Sequence, residues 1–176
     1  MDSRRSEERR GFLKALTAGI SGALAAMAVI PGLGFLGHPL RQRTVSGADQ
    51  PIKVASNDDL RPNKPIRVNV VGQRRDGWLR LDRVKLGACW LVRPTDGPVR
   101  AFSTVCPHLG CGVDWNDKNK TFDCPCHASS FDLFGRCLGG PAPRSLDELE
   151  VVTTGDDIKV RYQRFKLGHG QKEPIG

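Results

Sequence analysis

Between Ala15 and Gly37 the chain carries no charged side chain. A helix buried in a soluble protein normally keeps a polar face, so this block is not the amphipathic helix of a globular core. Elsewhere long apolar runs are lacking, and a mean hydropathy of −0.36 excludes a multi-span membrane protein. Basic residues outnumber acidic ones, 27 to 19 in 176 residues. They form no basic stripe and no recognisable nucleic-acid module, which excludes nucleic acid as the expected partner. Charged residues are 26% and hydrophobic residues 39% of the chain, which excludes disorder and a collagen-like repeat. Tyrosine is represented once, by Tyr162.

The uncharged block is long enough to span a membrane. As a helix its 23 residues reach about 34 Å, against a hydrocarbon core of about 30 Å. Ahead of it stands Arg9-Arg10-Gly11-Phe12-Leu13-Lys14, which resembles a twin-arginine export signal with Glu8 at the usual Ser or Thr position. That route carries folded proteins, which suits a cofactor inserted before export. The arginines place the N-terminus in the cytoplasm and the residues after the block outside. No small-residue cleavage site comes after the block, and Ala26-Met27-Ala28 lies inside it, so a retained anchor is expected. The organisation read from sequence is a cytoplasmic signal region at 1–14, a transmembrane anchor at 15–37 and a linker leading into the folded domain at 38–65. A domain at 66–162 and a C-terminal segment at 163–176 complete it. The linker contains Pro39, Arg41, Arg43, Ser46, Gly47, Pro51, Pro62 and Pro65 and shows no sustained period. The final segment reads either as a disordered tail or as an arm onto a partner.

The folded domain reads as mostly β. Ile66, Val68 and Val70 alternate with polar positions, as do Leu79 and Leu81, and Ile158, Val160 and Tyr162. Short strand-like runs lie at Cys89–Val92, Val99–Phe102, Phe131–Leu133 and Leu149–Thr154. Turn clusters such as Asp96-Gly97-Pro98 and Gly155-Asp156-Asp157 separate them. The expected fold is a small antiparallel β domain, a sandwich or barrel, behind one N-terminal transmembrane helix.

Four of six cysteines and two of four histidines fall into two clusters 12 residues apart. The first is Cys106-Pro107-His108-Leu109-Gly110-Cys111 and the second Cys124-Pro125-Cys126-His127-Ala128-Ser129. Two chemistries use such donors. A structural zinc site takes four Cys or His ligands, but its usual Cys-x-x-Cys knuckles are absent. An iron–sulfur centre with two His replacing two Cys on one iron needs one Cys and one His from each cluster.

The paired motifs Cys-x-His-x-Gly-Cys and Cys-x-Cys-His-x-Ser resemble the two cluster loops of the Rieske 2Fe–2S proteins. Gly139-Gly140-Pro141-Ala142-Pro143 is similar to the proline-rich loop that covers the cluster in that family. With an extra Cys in each loop, the pattern resembles the iron–sulfur subunit of cytochrome bc-type quinol:cytochrome c oxidoreductases. The resemblance implies that Cys106 and Cys124 are thiolate ligands of an inner iron, and His108 and His127 imidazole ligands of an outer one. It implies a Cys111–Cys126 disulfide, and a Ser129 hydroxyl bonded to a bridging sulfide. Such a bridge closes a 16-residue loop, worth about 3 kcal/mol in the chain-entropy model, and needs an oxidising compartment. His127 is expected to face quinol, with His108 also exposed at the tip. Cys89 and Cys137 have no place in the pattern; Cys89 reads as a buried small hydrophobe, and a Cys89–Cys137 bridge is the alternative. Trp78, Trp90 and Trp115 are expected to pack in the core or its rim, and His38 and His169 to be solvated.

Phe131 departs from the pattern. Two residues after the serine, high-potential family members carry Tyr, whose hydroxyl donates to a cluster thiolate. Hydrogen bonds to sulfur raise the potential of a cluster, so its loss predicts a middling value, suited to menaquinol rather than ubiquinol. The function implied is one-electron transfer from quinol to a cytochrome heme, within a complex containing cytochrome b-type and c-type subunits. The place implied is the bacterial cytoplasmic membrane, with the head on the periplasmic side and residues after 37 as a swivel. The alternative is the Rieske subunit of an exported molybdenum oxidase, as in arsenite oxidase. A soluble Rieske ferredoxin feeding a dioxygenase fits neither the apolar block nor the extra loop cysteines.

Overall fold

The structure is a computed structural model that describes residues 2–41, 45–46, 50–76 and 79–175. It divides into two units, residues 1–43 and 44–176.

The first unit is one helix, α1 (Asp2–Arg41). It is longer at both ends than the 15–37 block. The polar flank Ser3 to Lys14 is mostly Ser, Glu, Arg, Leu and Lys, which propagate a helix once the apolar segment nucleates one. Within it, Ser6–His38 is long and apolar enough to cross a membrane once. Leu16, Ile20, Leu24 and Met27 on one face and Val29, Leu36 and Leu40 on the other are all exposed, so apolar surface is not confined to one stripe. Thr17 bonds its hydroxyl back to the Leu13 carbonyl at 2.8 Å, which hides the polar group inside the helix. Pro31 leaves the Met27 carbonyl without its usual donor.

The second unit is built of strands. In chain order they are β1 (Val45–Ser46), β2 (Ile52–Ser56), β3 (Ile66–Asp76), β4 (Leu79–Val92), β5 (Arg100–Ser103), β6 (Asp114–Asn116) and β7 (Thr121–Cys124). After them come β8 (Ser129–Phe131), β9 (Cys137–Gly139), β10 (Glu148–Thr154), β11 (Asp157–Arg161), β12 (Arg164–Phe165) and β13 (Pro174–Ile175). A seven-stranded sheet runs β1-β3-β4-β5-β10-β11-β2, a four-stranded sheet runs β6-β7-β8-β9, and β12 pairs with β13. Every pairing of these strands is antiparallel.

The alternation at the end of β4 explains how the sheets stack. Successive side chains point to opposite faces of a strand. Cys89 and Leu91 pack with Val70, Leu149, Ile158 and Val160 in one core. Trp90 and Val92 pack with Phe102, Phe122, Phe131 and Leu146 in another. Both faces of this stretch are therefore buried, which is why Cys89–Val92 reads as an unbroken apolar run. The second core seats the four-stranded sheet: Phe122 lies 5.4 Å from Trp90, 6.4 Å from Phe102 and 4.9 Å from Trp115, ring centre to ring centre. The Trp90 indole donates to the Val113 carbonyl at 3.0 Å. Trp78 lies outside the described residues.

The fold class expected from sequence is what the structure shows, with two changes of boundary. The sheet starts in the stretch assigned to the linker, because β2 pairs with β11 and buries Ala55. Its apolar alternation, Ile52 and Val54, is too short to stand out after Pro51. The C-terminal segment is ordered through residue 175. It folds back on its own domain, with Phe165 buried in the first core.

Candidate metal centre

The two Cys/His clusters occupy neighbouring turns. The first comes after β5. Within it the Cys106 amide donates to the Cys111 carbonyl at 2.8 Å, and the Gly110 amide to the Cys106 carbonyl at 3.0 Å. Gly110 holds a φ of +87°, which a residue without Cβ adopts at no cost. The second cluster is the hairpin loop between β7 and β8, closed by the Cys124–Ser129 register pair. Ala128 in that loop is left-handed, at φ +56°.

The structure brings all the sequence-identified residues together. Cys106 and Cys124 are buried, 1% and 3% exposed, at the base. His108 is half-buried and His127 exposed, with ring centres 4.8 Å apart and planes nearly perpendicular. Cys111 and Cys126 form a disulfide joining the two loops. The sulfurs of Cys111, Cys124 and Cys126 lie within 4.8 Å of one another. The bridged pair has no thiolate to offer a metal, so Cys106 and Cys124 are the sulfur donors left in the loops. Burial pushes the Cys106 thiol up, opposed by bonds from the His108 backbone amide and the Ser129 hydroxyl, with Cys124 also bonded to it. Two buried thiols side by side are a poor arrangement for free thiolates and a good one beside a cation.

A third segment closes over this site. Residues 139–143 lie flush on the second loop: a Cβ on Gly140 would fall 2.4 Å from Ser129 Cα and 2.7 Å from the Ala128 carbonyl. The Ala142 amide donates to Ser129 Oγ at 3.2 Å, so the buried serine uses its oxygen as acceptor and keeps its proton for sulfur. Phe131 is fully buried in the core that includes Cys106 and Cys124 and brings no hydroxyl to it.

Cys89 and Cys137 are both free. Cys89 is wholly buried in the first core, and burial pushes its thiol up to about 12. Cys137 packs against the second core and directs its thiol at the carbonyls of Gly139 and Ala142, at 3.6 and 3.9 Å. The bridge between them considered from sequence is therefore not formed. Sequence reasoning also passed over Arg144 and Asp147, a buried ion pair beside the 139–143 segment. Its only signal is an Arg and an Asp three residues apart, a spacing common on any surface.

Comparison with known proteins identifies the domain that carries this site. Residues 50–152 match the Rieske [2Fe-2S] domain. The menaquinol:cytochrome c reductase iron-sulfur subunit of Geobacillus thermodenitrificans is 33% identical over 153 residues, covering 85% of this chain and 88% of that protein. The cytochrome b6-f complex iron-sulfur subunit of Chlorobaculum thiosulfatiphilum is 30% identical over 151 residues, covering 86% and 74%. A chain of a hyperthermophilic respiratory Complex III shares the fold, with a TM-score of 0.50 and 23% identity over 81% of this chain and 98% of that one. Two buried thiols, two outward imidazoles and a sulfur-directed serine fit a Rieske-type 2Fe–2S cluster, and this chain belongs to the Rieske [2Fe–2S] family.

Proposed function

We propose that this chain is the Rieske subunit of a membrane-anchored quinol:cytochrome c oxidoreductase. The observation that carries the proposal is the polarity of the site: two imidazoles reach outward above two buried thiols, on a chain that also bears a helix able to cross a membrane. Cys106 and Cys124 would hold the cluster from its buried side, and His108 and His127 from its exposed side. When bound, the cluster supplies a one-electron acceptor whose potential lies within about −150 to +300 mV.

The remaining work belongs to the chain's own residues. His127, exposed at the tip, accepts a hydrogen bond from a quinol hydroxyl and takes its proton; such a base must first be within hydrogen-bond reach. His108 stands beside it as the second tip group. The 139–143 segment and the disulfide keep water from the base of the site. The Ser129 hydroxyl and the His108 amide stabilise negative charge on sulfur, which favours the reduced state. Phe131 withholds a further donor, which favours a low-potential quinol. The relative named for menaquinol supports that preference. Turnover belongs to an assembly with cytochrome b-type and c-type subunits, a reading supported by relatives named as subunits of such complexes. The helix anchors it in a bacterial cytoplasmic membrane with the head outside.

The test is mild detergent extraction followed by an EPR-monitored redox titration. The expected result is a reduced-state Rieske signal, copurifying b and c hemes, and a midpoint below the top of the family range. Phe131→Tyr should titrate higher than the parent. Copurification with a molybdenum oxidase, or release by salt washing alone, would overturn the assignment.

A further inference from the structure

Beside the anchor of Phe165 in the first core, one buried side chain, Arg144, fastens the C-terminal segment behind the first cluster loop. Arg144 is 9% exposed and Asp147 4% exposed. The Arg144 guanidinium donates twice to Asp147, at 2.9 Å each. It donates again to the Lys166 carbonyl at 2.7 Å and to the His169 carbonyl. Four acceptors around one planar fork is a geometry that lysine cannot reproduce. The segment so held touches the loop directly. The Gly168 amide donates to the Pro107 carbonyl at 2.9 Å. Leu167 sits against Gly110, its Cδ1 being 2.8 Å from where a Cβ there would stand. Farther along, Lys172 donates to the Glu148 carbonyl and lies 4.7 Å over the Phe165 ring.

We propose that Arg144 is a positioning residue for the cluster: by locking residues 163–175 behind the first loop, it fixes the turn that carries Cys106 and His108. The inference rests on the Rieske reading of that turn. Its logic is that of outer groups that orient metal ligands. The disulfide ties the two loops to each other but not to the rest of the head. The Val105–Gly112 bridge and the Val113 amide on the Thr104 carbonyl tie the ends of the first loop to the head; Gly168 and Leu167 support the turn between them, and Arg144 holds both in place.

The test compares the full-length protein in detergent with two variants. Arg144→Lys keeps the charge opposite Asp147 and loses the fork. The double variant Arg144→Met/Asp147→Leu removes both charges, so that no buried carboxylate is left stranded. Hydrogen exchange, read by mass spectrometry, should speed up about tenfold in peptides covering 106–111 and 163–175 in both variants. Peptides covering 88–92 and 158–161 should keep the parent rate. The reduced EPR signal should keep its spin count but broaden, as the histidine geometry becomes heterogeneous. Unchanged exchange at 106–111, or equal acceleration in the sheet, would overturn the proposal, as would an unbroadened signal. Absence of a Rieske signal in the parent itself would sink the family reading of the site instead, and the exchange measurement separates the two.

Discussion

Cys89 and Cys106 are both almost inaccessible to water, yet their surroundings give them opposite chemistry. Cys106 has an amide, a hydroxyl and a second thiol around its sulfur. Cys89 stands on β4 among Val70, Leu91 and Val160, and burial alone lifts its thiol to about 12. An unfolded cysteine ionises near 8.5. A thiol whose folded pKa is raised stabilises the fold fully below the unfolded pKa, and that contribution is lost as pH climbs toward the folded value. The slope is negative because the native state keeps a proton that the unfolded chain has released. Between pH 8 and 10.5 a single such group removes about 2–3 kcal/mol, at about 1.4 kcal/mol per pH unit. Chemical denaturation of Cys89→Ala at the two pH values should therefore show a smaller alkaline loss than the parent by about that amount. It should also show a modest loss at pH 8 from the missing sulfur. Equal alkaline losses in the two proteins would show that the Cys89 thiol does not govern this range. The sequence already pointed to a buried role for Cys89, since it sits in an apolar run; the size of the shift depends on β3, β10 and β11, whose apolar side chains close over that face of β4.

At the scale of elements, legibility followed the range of the interaction. The strands at Leu79–Val92, Arg100–Ser103 and Asp157–Arg161 announce themselves by alternation or by dense β-branched and aromatic residues, which are local signals. The site was legible as well, because its donors are concentrated in two short motifs. β2 and the C-terminal segment were not legible. β2 is held by pairing with β11, about 100 residues away, and the segment after Tyr162 by Arg144 and by Phe165 entering a distant core. Neither carries a periodicity long enough to stand out in its own residues. The 139–143 segment lies between these cases: its resemblance to the proline-rich loop of the Rieske family implied a cover, but only the structure shows how close it lies. Gly140 has a φ of +90° and no room for a Cβ, whereas a Cβ on Gly139 would meet nothing within 4 Å. Left-handed backbone costs a non-glycine residue about 1–2 kcal/mol before any clash. Gly140→Ala should exceed that cost, since the obstruction is the backbone of Ser129 and cannot swing aside. The expected outcome is faster bleaching of the visible absorption of the cluster in Gly140→Ala, with Gly139→Ala close to the parent. Similar bleaching in both variants would show that the cover is held by something other than this contact.

For the whole molecule, the order of assembly is constrained by where each part can be made. The site needs its two thiols reduced while iron is inserted, and its disulfide needs an oxidising compartment afterwards. A chain threaded unfolded across the membrane would meet the oxidising side with four loop cysteines free to pair wrongly. The paired arginines at the start of the chain offer a way out, since a twin-arginine route moves the head after it has folded. Arg9 and Arg10 lie on α1, ahead of the apolar stretch, and both are exposed. A lysine pair would preserve charge and helix propensity there, so any effect must come from recognition of the guanidinium groups. Expression of Arg9→Lys/Arg10→Lys in a bacterial host should leave the head on the cytoplasmic side. Protease added to spheroplasts should then fail to cleave it, whereas it should degrade the head of the parent. The retained protein should still show the reduced Rieske EPR signal, because cluster insertion precedes export. It should also carry free thiols at Cys111 and Cys126, detectable by alkylation, because the reducing side keeps them open. Equal protease sensitivity of the two proteins would mean that the arginines serve only as a topological flank. A loss of the signal together with export would mean that insertion and oxidation both occur outside.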